Sequence, residues 1–241
     1  MSSYINNNKK PLIFLGSNDA MYILTEACEN LGIKFAGIID KDYYGNTEYI
    51  CDVLVIDSEE SFNDPEKLEY YKNNFNFFCA TNWIPEPTPV HIRNREKRRM
   101  QLDLIDTYNL NCVSIVHPKS NVSRHAQIGT GVYIDAHVNI EPKVVVGNHS
   151  RIMYLTAIAH NTVIGKNCVF SRHCGIGAYC IFEDNVFFGN ASKGLKNGAI
   201  FSENTFVHEG VYIRRGTVQN EVVSMNSPNQ RRVVHYTNEE M

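Results

Sequence analysis

Residues 140–176 read IEPKVVVGNHSRIMYLTAIAHNTVIGKNCVFSRHCGI, and in them a large apolar residue recurs at every sixth position. An even spacing keeps side chains on one face of a strand, where they alternate with period two, and cannot do so on a helix of about 3.6 residues per turn. The same frame extends in both directions without interruption. It comprises Val116, Val122, Ile128, Ile134, Ile140, Val146, Ile152, Ile158, Ile164, Phe170, Ile176, Phe182 and Phe188. We therefore predict a series of short strands that each bury one large side chain.

Hexapeptide repeats of this kind are typical of a parallel β-helix, in which each unit forms one face of a prism and three units, about 18 residues, make one coil. The frame returns after Gly194 at Ile200, Phe206, Tyr212 and Val218. Small residues stand four places after the frame, and we interpret Cys168, Cys174 and Cys180 among them as buried packing residues. Glycines directly follow several frame residues, where we expect the chain to bend: Gly129, Gly147, Gly165, Gly177 and Gly189.

The first half of the chain has the pattern of a βαβ unit. The apolar run 12–15 leads into Gly16-Ser17-Asn18-Asp19, a helical pattern follows over residues 20–31, and a second apolar strand ends at Asp40. Such a unit places a helix N-terminus, which attracts phosphate, at the end of the first strand. The turn lacks a G-x-G-x-x-G pattern, and Asn18 and Asp19 would also suit a simple helix cap. Strands at 53–56 and 77–80 and a basic helix at 91–110 would complete a small α/β domain.

Charge and cysteine usage exclude several classes of protein. The formal net charge of −3 gives no general reason to bind nucleic acid or a membrane surface, and no apolar run is long enough to span a bilayer. The start lacks the apolar core of a signal peptide, so we expect a cytoplasmic protein. Seven cysteines without C-x-x-C spacing argue against a disulfide framework or a zinc site. The basic residues 93–99 are interpreted as a solvated helix face with i,i+4 pairs such as Arg99 with Asp103, with a phosphate-binding patch as the alternative.

An α/β domain that continues through His117-Pro118 into hexapeptide coils resembles the bacterial nucleotide-sugar amine N-acetyltransferases of the bacillosamine and perosamine type, which belong with the sialic-acid O-acetyltransferase-like proteins. The most specific stretch is 157–165, where His160 follows the frame residue by two places. The resemblance implies a Rossmann-like nucleotide-sugar-binding domain at 1–112, a left-handed β-helix acyltransferase domain at 113–220 and a tail at 221–241. It also implies acetyl-CoA as co-substrate, a nucleotide-linked amino sugar as acceptor, no metal, and a homotrimer with active sites between subunits.

The resemblance further implies roles for individual residues. His160 would be the general base, and Asn161 stands where the family usually has Glu or Asp to orient the histidine. The backbone N–H of Ala178, next to Gly177, would face the thioester carbonyl, and Pro228, Arg231 and Arg232 in the tail would cover the coenzyme. The substrate-binding residues would be Gly16, Ser17, Asn18 and Asp19 at the phosphate, Asp40 at the nucleotide, and Thr81 and Asn82 at the sugar nucleotide. The turn at Gly16 lacks the family's additional glycines.

Histidine titrates near neutral pH and can accept the proton that an attacking amine loses. Four other histidines, at 125, 137, 149 and 173, follow the frame by three places and are expected on the outer surface, whereas His160 shares its position with His208 alone. Sugar O-acetylation and a non-catalytic sugar-nucleotide-binding role remain alternatives, the latter because of Asn161. A zinc enzyme of the γ-carbonic-anhydrase kind needs two histidines about five residues apart, and no pair here has that spacing.

Overall fold

The computed structural model describes residues 10–18, 21–82, 89–225 and 232–233. The chain divides into two compact units, with the boundary between Val113 and Ser114. Each unit has its own hydrophobic core.

The N-terminal unit is built around a sheet with the strand order β3-β4-β2-β1-β5. The strands are β1 (Leu12–Leu15), β2 (Phe35–Ile39), β3 (Tyr49–Ile50), β4 (Val53–Asp57) and β5 (Asn76–Cys79). The helices are α1 (Met21–Asn30), α2 (Pro65–Asn74) and α3 (Pro89–Tyr108), with a 3-10 helix at Glu59–Asn63. All strand pairs are parallel except β3 with β4. All four residues of β1 have no exposed surface, as expected for a central strand of a parallel sheet covered on both faces.

The register of this sheet determines which loops lie together. Leu15 at the end of β1 pairs with Ile39 at the end of β2 on one side and with Cys79 at the end of β5 on the other. The residues that follow these three strands are therefore neighbours at one edge of the sheet.

The C-terminal unit consists of two-residue strands separated by corners, arranged in three sheets as in a parallel β-helix. Sheet 1 contains β7 (Asn121–Val122), β10 (Asn139–Ile140), β13 (Ala157–Ile158), β16 (Gly175–Ile176), β19 (Lys193–Gly194) and β22 (Tyr212–Ile213). Sheet 2 contains β8 (Gln127–Ile128), β11 (Val145–Val146), β14 (Val163–Ile164), β17 (Ile181–Phe182) and β20 (Ile200–Phe201). Sheet 3 contains β6 (Ile115–Val116), β9 (Tyr133–Ile134), β12 (Arg151–Ile152), β15 (Val169–Phe170), β18 (Phe187–Phe188), β21 (Phe206–Val207), β23 (Glu221–Val223) and, antiparallel to β23, β24 (Arg232–Val233).

The six-residue frame forms the core of the β-helix, as predicted. Every frame residue from Ile134 to Phe188 is at most 5% exposed and is the second residue of its strand. Cys168, Cys174 and Cys180 are also buried, which confirms their interpretation as packing residues. Burial raises the pKa of both Cys168 and Cys174 to about 12, so these thiols stay protonated at physiological pH.

The predicted continuation of the frame beyond Gly194 is wrong. Residues 195–199 contain one extra residue, so that β20 pairs with β17 through Ile181 with Ile200 and Phe182 with Phe201. The inward residues are therefore Phe201, Val207 and Ile213, each at most 1% exposed. The predicted frame residues Ile200, Phe206 and Tyr212 precede them on their strands, and Val218 lies outside a strand.

The corners bend two residues later than predicted. From Ile128 to Phe188, the third residue after each frame position has a positive φ, for example 58° at Asn161 and 60° at Tyr179. The glycine after the frame residue has a different role: a Cβ at Gly147 would lie 2.4 Å from the carbonyl oxygen of Gly165 in the next coil. His149 is another correction, since it is 8% exposed and its ring lies close to Gly131 instead of pointing outward into solvent.

Candidate functional site

His160 lies at the corner that follows β13. Ile158 fixes this corner because its side chain is buried in the core with no exposed surface, and β13 pairs with β10 below and β16 above. Two residues further on, the side chain of His160 is exposed. The imidazole of His160 therefore lies at the outer surface of the β-helix. His208 was predicted to occupy the position equivalent to His160. It does not, because the shifted frame places it one residue after the inward Val207 and not two.

Four contacts hold His160 in place. Its backbone N–H donates to Oε2 of Glu141 at 2.8 Å, and its carbonyl accepts from the N–H of Tyr179 at 3.1 Å. The imidazole meets the ring of Tyr179 edge to face, with 5.2 Å between centroids, and its Nδ1 lies 2.7 Å from the amide nitrogen Nδ2 of Asn161. The Nδ1 side of the ring is thus occupied by Asn161, and Nε2 is the nitrogen that can exchange a proton with a substrate.

The orientation of the Asn161 amide determines what Nε2 can do. In the structure the NH2 group faces Nδ1, but the amide oxygen and the NH2 group have nearly the same shape and can exchange places by rotation of the amide. An oxygen at this position accepts the hydrogen of Nδ1–H, and the lone pair is then on Nε2. In this orientation His160 can act as a base through Nε2, with a neutral amide in place of a carboxylate behind it.

Ala178 stands one coil above His160, after β16, with a side chain that is 6% exposed. Its backbone N–H donates to Oδ1 of Asn197 at 3.1 Å, and its carbonyl accepts from the N–H of Gly198 at 3.0 Å. Gly177 donates its backbone N–H to the carbonyl of Gly194 at 2.8 Å. His160 and Ala178 are joined through Tyr179, so the structure brings the predicted base and the predicted backbone donor together.

The predicted substrate-binding residues of the N-terminal unit meet at the carboxyl edge of its sheet. Ser17 donates its hydroxyl to Oδ2 of Asp40 at 2.7 Å, and the Asn18 amide donates to the carbonyl of Ala80 at 2.6 Å. Gly16 has a φ of +71°, and a Cβ there would lie 2.0 Å from Oγ1 of Thr81. The turn at Gly16 therefore requires glycine both for its conformation and for space.

Asp40 has no exposed surface, and both of its carboxylate oxygens are occupied. Besides Ser17, its partners are the ammonium of Lys97 at 2.5 Å and the backbone N–H of Asp42 at 3.1 Å. Lys97 also pairs with Asp42 at 2.7 Å. Burial lowers the pKa of Lys97, but its hydrogen bonds to Asp40 and Asp42 more than offset this and raise the pKa overall. The hydrogen bond from Lys97 lowers the pKa of Asp42.

The interpretation of α3 as a solvated basic face is wrong at two of its residues. The side chain of Lys97 is 8% exposed, and Arg98 is 1% exposed and donates to the carbonyl of Thr81 at 2.8 Å. Burial lowers the pKa of Arg98. The sequence analysis did not place Lys97 and Arg98 at the carboxyl edge of the sheet. Both lie three or four residues before Gln101 on the same helix, a spacing that puts neighbours on one helix face and could have indicated this position.

Thr81 is buried, and its hydroxyl donates to Oε1 of Gln101 at 2.7 Å. The Gln101 amide donates in turn to Oε1 of Glu59 at 2.7 Å, and Oε2 of Glu59 accepts from the backbone N–H of Lys41 at 2.7 Å. Asn82, half-buried, follows Thr81. This chain of hydrogen bonds makes Thr81 a support of the turn at Gly16.

Three predicted site residues, Asp19, Pro228 and Arg231, lie outside the described residues. In the part of the chain that the structure describes, no group of three or more His, Cys, Asp or Glu side chains could hold a metal ion. None of the helices described has the length and hydropathy that a bilayer-spanning helix needs.

Comparison with known sequences identifies a family model and a curated relative. Residues 111–233 match the family model of the GMPPB C-terminal domain. The chain is 25% identical over 123 residues to the GDP-perosamine N-acetyltransferase of Escherichia coli O157:H7, a match that covers 51% of this chain and 55% of that protein. The match thus spans about half the length of this curated relative.

Comparison with solved structures extends the likeness to nearly the whole chain. The acetyltransferase domain of PglB from Neisseria gonorrhoeae superposes with a TM-score of 0.75 at 14% identity, over 93% of this chain and 100% of that one. A histidine-to-alanine variant of the GDP-perosamine N-acetyltransferase of Caulobacter crescentus, solved with CoA and GDP-perosamine, gives 0.58 at 18% identity, over 92% and 96%. At these identities the superpositions show a shared fold. With the sequence match, they confirm the resemblance to nucleotide-sugar amine N-acetyltransferases.

Proposed function

The chain belongs, through residues 111–233, to the family described as GMPPB C-terminal domain, and from this premise we propose that it is an acetyl-CoA-dependent N-acetyltransferase of nucleotide-linked amino sugars. One observation carries the proposal: an exposed imidazole, His160, stands one coil from the backbone N–H of Ala178, which already binds a carbonyl oxygen. The sequence match to a protein named GDP-perosamine N-acetyltransferase supports a GDP-linked amino sugar as the acceptor.

In the proposed reaction, the neutral amine of the sugar attacks the carbonyl carbon of the thioester and forms the new C–N bond. Nε2 of His160 takes the proton that the nitrogen loses. The backbone N–H of Ala178 donates to the oxygen on which negative charge develops, a contact worth about 3 kcal/mol when it is preorganised. Collapse of the intermediate breaks the C–S bond, and the CoA thiolate leaves and is protonated from the imidazolium.

Asn161 is proposed to fix the tautomer of His160. With the amide turned so that its oxygen takes the place of Nδ2, which lies 2.7 Å from Nδ1, the oxygen would accept the Nδ1 hydrogen and keep the lone pair on Nε2. A neutral amide orients the ring but does not stabilise imidazolium by charge. The base would therefore operate without the carboxylate that the resemblance leads one to expect.

The N-terminal unit is proposed to be a Rossmann-like nucleotide-sugar-binding domain. Gly16, Ser17, Asn18 and Asp19 would hold phosphate, with Thr81 and Asn82 beside them. Because Asp40 already binds Ser17 and Lys97, its proposed contribution is to hold these two groups in place for the nucleotide. The parallel pairing of β1, β2 and β5 supports this assignment, since ligands of open α/β sheets bind at the carboxyl edge.

The C-terminal unit is proposed to be a left-handed β-helix that assembles as a homotrimer. Apolar side chains on the outer face of sheet 2 support an assembly: Val163 is 42% exposed, Ile181 43% and Ile200 48%. Light scattering should then give a mass three times the 27.5 kDa of one chain. Pro228 and Arg231 are proposed to cover CoA, and the cytoplasm, where acetyl-CoA is available, is the proposed location.

Sugar O-acetylation on the same scaffold is the second candidate, and binding without catalysis is the third. The test uses the full chain with acetyl-CoA and two acceptors, GDP-perosamine and its 4-hydroxyl counterpart GDP-rhamnose, and measures thiol release. The proposal predicts release with the amino sugar only, and UDP- and dTDP-linked amino sugars then define the nucleotide. Release confined to the hydroxyl sugar would establish O-acetylation, and nucleotide-sugar binding without release would leave the binding role.

A further inference from the structure

The only departure from six-residue spacing between Val116 and Val207 falls next to the proposed acetyl site. Residues 195–199 carry one extra residue, and this loop binds both backbone groups of Ala178. Gly198, with a φ of +72°, donates its N–H to the Ala178 carbonyl. Asn197 places its Oδ1 3.1 Å from the Ala178 N–H.

Side-chain acceptors also bind corner N–H groups elsewhere in the β-helix. Asn148 Oδ1 accepts from Thr130 at 3.0 Å, and Asp184 Oδ1 accepts from Lys166 at 2.7 Å. In both pairs the acceptor is 18 residues beyond the donor, which is one regular coil. Asn197 is 19 residues beyond Ala178, so the extra residue is what brings an amide oxygen to this position.

The side-chain oxygen of Asn197 is chemically similar to the thioester oxygen that the proposed reaction would place at the N–H of Ala178. A carboxamide oxygen and a thioester oxygen are both neutral carbonyl acceptors, and one N–H at about 3 Å binds one of them well at a time. Asn197 lies in an exposed stretch, residues 195–198, so its side chain can turn toward water when the N–H is needed elsewhere. The contact is therefore reversible at low cost.

We propose that Asn197 occupies the oxyanion-binding N–H of Ala178 in the coenzyme-free enzyme and is displaced by the acetyl carbonyl of acetyl-CoA. This inference rests on the proposed function, since it takes Ala178 as the oxyanion donor. It makes Asn197 a determinant of acetyl-CoA affinity that acts through Ala178. CoA lacks the carbonyl and has nothing to exchange for the Asn197 oxygen, so it binds without displacing the side chain.

The test compares Asn197→Ala, Asn197→Asp and wild type in the full chain. Loss of one competing hydrogen bond, typically about 0.5–1.5 kcal/mol, should lower the KM and Kd for acetyl-CoA roughly 2- to 10-fold in Asn197→Ala. A carboxylate binds an N–H more strongly than an amide does, so Asn197→Asp should raise both values. In Asn197→Ala, kcat should stay within about twofold, and the Kd for CoA should change less than about twofold.

Asn148→Ala removes the same kind of contact at a different edge of the prism and is the matched control. It should leave acetyl-CoA affinity unchanged, while thermal melting of all variants reports any general loss of stability. An unchanged or higher acetyl-CoA Kd in Asn197→Ala, or equal changes for CoA and acetyl-CoA, would overturn the inference alone. Absence of acetyl-CoA binding by wild type and by both Asn197 variants would overturn the proposed function and this inference with it.

Discussion

Replacing Asn161 with aspartate puts a negative charge beside Nδ1 of His160, where the chain has a neutral amide. The amide lies 2.7 Å from Nδ1 of His160, so a carboxylate in its place would face the imidazolium directly. Because His160 is exposed, the dielectric constant of water applies, and unit charges at this distance attract by about 1.5 kcal/mol. This energy corresponds to an upward shift of the titration midpoint by about one pH unit. The value is an upper limit, because solvent screening and side-chain freedom weaken the attraction.

The sign follows from which form is stabilised. A carboxylate at 161 favours imidazolium, which cannot act as a base, so the free base appears at higher pH than in wild type. In a profile of kcat/KM against pH, the midpoint of the acid limb in Asn161→Asp should move upward by up to about one unit. Below that midpoint the variant should be up to about tenfold slower than wild type, and above it at least as fast.

Two comparisons make this result specific. Asn161→Ala removes the hydrogen bond to Nδ1 without adding charge, so it should lower kcat/KM at all pH values and leave the midpoint unmoved. The shift in Asn161→Asp should also shrink at about 1 M salt, where the Debye length is about 3 Å. An acid limb in Asn161→Asp that coincides with that of wild type would refute the assignment of His160 as the titrating base.

Three further predictions concern the units that carry the site. Phe182→Ala removes a ring that stacks on a neighbouring ring with 4.5 Å between centroids. Urea unfolding should show that the free energy of unfolding falls by about 3–5 kcal/mol, against less than about 1 kcal/mol for Ile181→Ala, whose side chain is exposed. Equal losses in the two variants would contradict the inward position of Phe182. Gly16→Ala should cost about 1–3 kcal/mol in urea unfolding, because φ is +71° and the new Cβ has no space; wild-type stability would exclude this turn. Burial raises the pKa of Cys168 and Cys174 from 9.0 to about 12, so these thiols ionise at lower pH in the unfolded state than in the folded state. The free energy of unfolding should therefore fall as pH rises above about 9, and in the double alanine variant its slope against pH, measured by urea titrations, should be smaller by about 3 kcal/mol per pH unit. An unchanged slope would mean that the thiols are accessible.

The β-helix was predictable because its burial repeats with a period that helices cannot share. The six-residue frame predicted the wrong inward residues after Gly194, where both residues of β20, β21 and β22 are apolar. Ile200 and Phe201 suit an inward position equally well in a pattern, and only the pairing with β17 shows that Phe201 faces the core. A single inserted residue therefore shifts the frame without leaving a gap in the apolar pattern.

In the N-terminal unit, the buried strands were predictable as continuous apolar runs. Helix α2 was missed because its sequence, PEKLEYYKNN, is mostly polar and buries only Tyr71. Its start carries a recognisable signal, since Asp64 caps the helix by accepting from the N–H of Glu66 and Pro65 follows it.

The partners of Lys97 could not be predicted from local pairing. Rules for helices relate residues three or four apart, whereas Asp40 and Asp42 are 57 and 55 residues away from Lys97. The same limit applies to Asn197, whose contact with Ala178 depends on the inserted residue. At His160, by contrast, position in the repeat predicted a residue close to a corner, and the exposure of its side chain is a finding of the structure.

The most direct test of the account is acetyl transfer by His160→Ala, with His173→Ala, an exposed histidine at another corner, as control. We expect His160→Ala to lower kcat with GDP-perosamine by about 10²- to 10⁴-fold, while its Kd for acetyl-CoA stays within about twofold of wild type. We expect His173→Ala to keep the kcat of wild type. Transfer by His160→Ala at a rate close to that of wild type would contradict the role of this imidazole as the base.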